Sequence, residues 1–202
     1  MAWQSVLFGL LFFLPAYVAN MSPLLVARVI PRWNAPIDGG RLAKDGHRVL
    51  GAGKTWRGVA GGAATGALTA IVVAWLVPPV GHSGFFAGWD YGRGQGSSWL
   101  AIALFGAVLG FFALVGDAVK SYFKRRRGKV GGAPWVPFDQ LDFVVFGLAA
   151  AFAFQWLLAP GWVWHALTGD WLVLGTIVIL TPGLHFLVNV IGYWLRLKEV
   201  PW

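Results

Sequence analysis

The chain has 202 residues, 57% of them hydrophobic and only 12% charged, where a soluble domain carries about a quarter charged. Its mean hydropathy is +0.65, with 13 Trp, 15 Phe, 28 Gly and a formal net charge of +8. This composition excludes a soluble globular domain and a disordered chain. The absence of Cys excludes disulfides, thiolate metal sites and thiol nucleophiles.

The charges fall in blocks. No Asp, Glu, Lys or Arg occurs in residues 1–27, 58–89, 94–116, 143–169 or 171–195. Each run is long enough for the ~20 residues of a membrane-crossing helix. The pattern predicts an all-α polytopic membrane protein of one domain, 1–202. Its five spans lie near 3–29, 57–80, 98–120, 139–159 and 171–195, and its two functional loops are 30–56 and 121–138.

Lys and Arg set the orientation. Seven lie in residues 28–57, six in 117–142 and two in the tail (Arg196 and Lys198), against Arg93 alone on the other side. This bias puts both long loops and the C-terminus in the cytoplasm and the N-terminus outside. An odd number of spans is the only count that closes this alternation. The first span has no basic leader and is not read as a cleaved signal peptide. The net positive charge flanks apolar spans and faces anionic headgroups, so nucleic acid is not an expected partner.

The first span contains Pro15, Asn20, Ser22 and Pro23, and proline there permits a kink. Asn20 suits either an interhelical hydrogen bond or a ligand contact. The first loop is rich in turn formers and is expected to be ordered without a long helix. Its Gly53-Lys54-Thr55 resembles the end of a Walker A motif, but Arg48 stands where that motif needs Gly and no strand precedes it. The stretch reads instead as a Gly-rich anion cradle with Lys54 and Arg57 as counter-charges.

Gly58, Gly62 and Gly66 recur every four residues in the second span, a pattern for close helix approach within the chain. Residues 81–98 read as an external loop whose Trp89 and Tyr91 are interfacial. Around residues 160–170, Trp162, Trp164 and Trp171 suit a headgroup belt. His185 and Asn189 of the last span read as helix–helix contacts. No internal repeat suggests an inverted-repeat transporter.

The acids carry the chemistry. Asp117 follows 23 uncharged residues, at a membrane boundary where a carboxylate is costly unless paired or metal-bound. Asp139 and Asp142, three apart, share one face of the helix entering the fourth span. Three such carboxylates are suitable hard ligands for Mg²⁺. The competing role is salt bridging to the adjacent Lys124-Arg125-Arg126-Arg127. Acids beside clustered cations are equipment for a phosphate–metal complex, the acids holding the ion and the cations clamping oxygens.

Gly116-Asp117, Ser121, Lys124-Arg125-Arg126, Pro137 and Asp139-Gln140-Leu141-Asp142 resemble the signature of the CDP-diglyceride synthases, the phosphatidate cytidylyltransferase superfamily. Residues 51–58 (Gly-Ala-Gly-Lys-Thr-Trp-Arg-Gly), Ile37-Asp38-Gly39 and residues 19–23 (Ala-Asn-Met-Ser-Pro) are similar to its small archaeal branch, the CDP-archaeol synthases. The resemblance covers the first span through the fourth. It implies transfer of CMP from CTP to an isoprenoid ether-lipid phosphate, 2,3-bis-O-geranylgeranylglycerol phosphate, with Mg²⁺ required and pyrophosphate released. In that light Asp117, Asp139 and Asp142 are metal ligands and, with Lys124 and Arg125, the catalytic set. Lys54, Arg57, Arg126 and Asp38 fall to CTP and lipid phosphate, with hydrogen bonds from Asn20, Thr55 and Ser121. The resemblance also implies a groove for the lipid chains bordered by spans two to four, where Gly62, Gly66, Gly106 and Gly110 would leave room. Many bacterial members carry an Asp just after the basic run. Residues 128–132 here hold none, so that role passes to Asp117 or is absent.

Rival functions fit less well. A CDP-alcohol phosphotransferase needs Gly and further acids where Phe143 follows Asp142 and no acid recurs before Asp170. An aspartate-rich membrane prenyltransferase needs a second acid motif. A lipid scramblase or channel needs ionisable groups at depth, where only His185 stands. A phosphatidate cytidylyltransferase of the bacterial type is the nearest alternative.

Overall fold

The computed structural model describes residues 2–77, 90–94, 96–129, 133–158 and 161–196. These residues form six helices: α1 Ala2–Val29, α2 Trp56–Leu76, α3 Trp99–Arg126, α4 Phe138–Leu158, α5 Trp162–Thr168 and α6 Trp171–Trp194. All but α5 are long and apolar enough to cross a membrane. Trp89, Val130, Gly131, Gly132, Pro160 and Lys198, all used in the sequence reading, lie outside the described residues, as do 78–80 at the end of the expected second span.

Helix ends follow local chemistry. Thr55 caps α2 by accepting the Gly58 N–H at 3.1 Å, and Ser98 caps α3 from the Ala101 N–H at 3.1 Å. Asp170 does the same for α6 from Leu172 N–H at 2.9 Å. The end of α3 departs from expectation, because the helix runs past residue 120 to Arg126. Hydropathy marks the membrane boundary, whereas the helix stops at a Schellman turn. Gly128 (φ 67°) donates to the Arg125 carbonyl at 3.0 Å, and the Lys129 N–H donates to that of Lys124 at 3.0 Å. The final turn carries Lys124, Arg125 and Arg126, which suits the negative end of the helix dipole.

Helix α1 packs against α2, α3, α4 and α6, and α3 lies between α2 and α4. The glycines expected to open a groove instead close one. A Cβ on Gly66 would collide with the Gly106 carbonyl oxygen, and one on Gly110 with that of Gly62. The two backbones touch along this seam, the arrangement small residues permit between membrane helices. A Cβ on Gly116 would stand 2.6 Å from the Asp142 carbonyl oxygen, so this glycine draws α4 against α3 beside the acids.

The core end away from the first loop is aromatic. Phe105 and Trp162 have ring centroids 4.8 Å apart, and Phe12 and Tyr91 complete the cluster. Trp162 and Tyr91 are each 1% exposed, so neither belongs to an interfacial belt. The seven-residue α5, absent from the sequence reading, turns Trp162 inward, while Trp164 and Trp171 remain exposed. Leu68, Val72 and Trp75 of α2 and Trp156 and Leu157 of α4 form bare outward faces. Such faces suit a hydrocarbon solvent.

Candidate active site

The first loop is organised by one carboxylate. Asp38 Oδ1 accepts from Gly40 N–H at 3.0 Å and Arg48 Nη2 at 2.7 Å; its Oδ2 accepts from Leu50 N–H at 3.0 Å and Gly51 N–H at 3.3 Å. Burial pushes this carboxyl up. Leu50 N–H, the Arg48 guanidinium, and the N–H groups of Gly40 and Gly51 outweigh it and bring it down to about 2. Short two-stranded contacts join Pro36 to Thr55 and Leu42 to Arg48. Arg57 turns back to the Ile30 and Pro31 carbonyls at 2.6 and 3.1 Å and to Asn34 Oδ1 at 3.2 Å. Asp38 and Arg57 therefore bond to backbone and side-chain groups of the loop itself.

The last turns of α3 fasten this loop. Ser121 donates to the Leu50 carbonyl. Arg126 donates to Asp45 Oδ1 at 2.7 Å and to the Arg48 carbonyl at 2.8 Å. Arg125 donates to the Lys129 carbonyl at 2.5 Å and packs its guanidinium on Gly51, whose φ of 104° and missing side chain make that approach possible. The loop tethered in this way carries Lys54 to Asp117.

Charge is concentrated between α3 and α4. Lys120 Nζ lies 3.0 Å from Asp117 Oδ1, 3.3 Å from Asp139 Oδ1 and 2.8 Å from Asp142 Oδ2. Lys124 Nζ reaches the two Asp139 oxygens at 3.1 and 3.2 Å and the Ala133 carbonyl at 2.5 Å. The Trp135 N–H donates to Asp139 Oδ2 at 2.6 Å, fixing that carboxylate. Asp142 Oδ1 accepts from Phe143 N–H at 2.7 Å.

Asp117, Lys120, Lys124 and Asp139 border a cleft of about 340 Å³. Asn20, Lys54, Thr55, Asp117, Lys120, Lys124 and Asp139 supply its polar lining, and Met21, Leu24, Leu25 and Val188 an apolar one. Of the residues proposed from sequence, Asn20, Lys54, Thr55, Asp117, Lys124 and Asp139 meet at this cleft, and Asp142 joins them through Lys120. Ser121, Arg125 and Arg126 tether the loop instead. Sequence reasoning missed Lys120, counted there only as a topology charge, although it stands one helical turn from Asp117. It also missed that His185 and Asn189, 3.2 Å apart, face the cleft from α6.

Among the described residues, no three acid or imidazole side chains already stand as a ready metal cage. The donor set nevertheless fits a hard divalent cation. Each of three carboxylates presents an oxygen to one point, now marked by the Lys120 ammonium.

A helical bundle with five helices long and apolar enough to cross a membrane, and with paired acids and lysines in a half-apolar cleft, is the build of an intramembrane enzyme. Comparison with known proteins gives the kind. The family model described as CarS-like, CDP-archaeol synthase, matches residues 3–202. The chain is 38% identical over 189 residues to the CDP-archaeol synthase of Methanosarcina mazei, covering 94% of this chain and 99% of that one. It is 39% identical over 201 residues to the CDP-archaeol synthase of Methanopyrus kandleri, covering 100% and 96%. Its fold is similar to a solved intramembrane enzyme for archaeal membrane lipids biosynthesis. That match has a TM-score of 0.58 and 27% identity, over 90% of this chain and 92% of the other. The chain belongs to the CDP-archaeol synthase family.

Proposed function

We propose that this protein transfers CMP from CTP to 2,3-bis-O-geranylgeranylglycerol phosphate, giving the CDP-lipid and pyrophosphate. It acts as one integral-membrane unit at the cytoplasmic face of the cell membrane. The observation that carries the reading is the meeting of Asp117 and Asp139 with Lys54, Lys120 and Lys124 at a cleft with an apolar wall, with Asp142 joined to them through Lys120. A lipid phosphate and a triphosphate need such a place, apolar for the one's chains and cationic for the phosphates of both. The excess of Lys and Arg in the loops that build the cleft supports the cytoplasmic orientation.

The chemistry asks little of the protein beyond positioning and charge. An oxygen of the lipid phosphate attacks the α-phosphorus of CTP, and the bond to the bridging oxygen of pyrophosphate breaks. The nucleophile is already anionic, so no strong base is required. Lys54 and Lys124 screen the two polyanions, and Asn20 and Thr55 orient phosphate oxygens by hydrogen bonds. Leu24, Leu25 and Val188 exclude water beside the reacting groups. Asp117, Asp139 and Asp142 would hold Mg²⁺, which when bound supplies charge neutralisation for the phosphoryl oxygens.

Purified protein given radiolabelled CTP tests the reading directly. Label should enter lipid with the ether-linked, unsaturated substrate and far less with an ester-linked phosphatidate. Equal use of the ester would move the assignment to a phosphatidate cytidylyltransferase, and no lipid label with either would overturn it.

A further inference from the structure

The point on which the three carboxylates converge belongs to Lys120. Its Nζ stands within 3.3 Å of an oxygen from each of Asp117, Asp139 and Asp142, and an ammonium has three N–H donors to give. We propose that Lys120 is a displaceable internal counter-ion. It keeps the three acids aimed at one point in the absence of a divalent cation and yields that point when one binds. This rests on the reading of these acids as divalent-cation ligands.

Three observations support it. First, three carboxylates at a membrane boundary are too costly to leave unpaired, and Lys120 is the group that touches all three. Second, an ammonium and a dication cannot share a spot whose ligands they both need, so each must weaken the other's hold. Third, Lys120 has somewhere to go. Its side chain is only 14% exposed, yet it lines the cleft, on a flexible stem that an arginine fork would not match. The acids are balanced at rest by Lys54, Lys120 and Lys124. Once a dication takes over the carboxylates, these ammoniums become surplus positive charge at the cleft, available to phosphate. Lys120 thus links site assembly to substrate charge.

The test uses the full chain in detergent and Mn²⁺ as the probe, read by loss of the free-ion signal in electron paramagnetic resonance. Lys120→Met should bind Mn²⁺ about tenfold more tightly than the wild type, a usual size for relief of competition between two ligands. Lys120→Arg, which keeps the charge, should show no such gain. A second measurement needs no variant: amine-reactive labelling of Lys120, read by mass spectrometry, should rise when Mg²⁺ is added. Unchanged labelling, or equal or weaker Mn²⁺ binding by Lys120→Met, overturns the role proposed for Lys120 while leaving the ligand reading intact. Failure of wild type and variants alike to bind Mn²⁺ overturns the ligand reading, and this proposal with it. If Lys120→Met does not fold, the labelling result decides alone.

Discussion

Lys54 of the first loop is ion-paired with Asp117 of α3, 63 positions further along the chain, at the cleft where loop and bundle meet. The pair ties the placement of a candidate phosphate contact to that of a candidate metal ligand. Lys54→Met should lower kcat/KM for CTP by roughly 100-fold, a usual loss for one preorganised electrostatic contact. Lys54→Arg should recover only part, because a planar fork does not replace a point charge. Wild-type kinetics in Lys54→Met would remove this residue from the site.

The glycine seam gives a prediction about folding. Gly66→Leu or Gly106→Leu forces apart backbones already in contact, and overpacking costs about 1–3 kcal/mol or more. The expected result is a lower melting temperature in detergent, with CTP binding and lipid turnover lost together. Normal melting with a selective loss of lipid use would restore these glycines to a lipid groove.

The five apolar runs were legible because the bilayer imposes length and composition on every span, and the helices follow them closely. Facing was not legible where composition alone was the guide. Trp162 has the residue type of a belt tryptophan, but α5 directs it into the core. Asp38 fell to substrate only through the family resemblance, while its partners Arg48, Leu50 and Gly51, 10 to 13 residues away, tie it to the organisation of the loop. The acid cluster was legible through the three-residue spacing of Asp139 and Asp142. The lysine at its centre was not, because charge counting treats Lys120 as topology. The contact that unites α3 with α4 depends on Gly116, whose role appears only when the helices are packed.

Asp38 supplies a pH dependence. Its folded-state pKa of about 2 lies below the ~3.9 of an unfolded aspartate. The stabilisation it gives the loop is complete above about pH 4 and is lost as the pH falls towards 2. Asp38→Asn should therefore show faster proteolysis of the first loop at neutral pH, with the gap from wild type narrowing below pH ~4. A gap that stays constant with pH would contradict this.

Orientation can be read by labelling, since the chain has no native Cys. Single cysteines replacing Arg41 and Arg127, both exposed, should react with an impermeant reagent only from the cytoplasmic side. One replacing Arg93 should react only from outside. Reaction of Arg41→Cys and Arg93→Cys from the same face would sink the five-span arrangement.

The acids themselves give the most direct measurement: turnover of purified Asp139→Asn and Asp142→Asn with CTP and the ether-lipid phosphate across a Mg²⁺ titration. Each substitution keeps the shape and removes one charge. If the acids hold the cation, turnover at low Mg²⁺ should fall by at least about 100-fold and recover in part as Mg²⁺ is raised. If they serve only as salt bridges, these largely buried pairs make the variants clearly less heat-stable, but the folded variants would turn over near-normally at low Mg²⁺, and Mg²⁺ would rescue nothing.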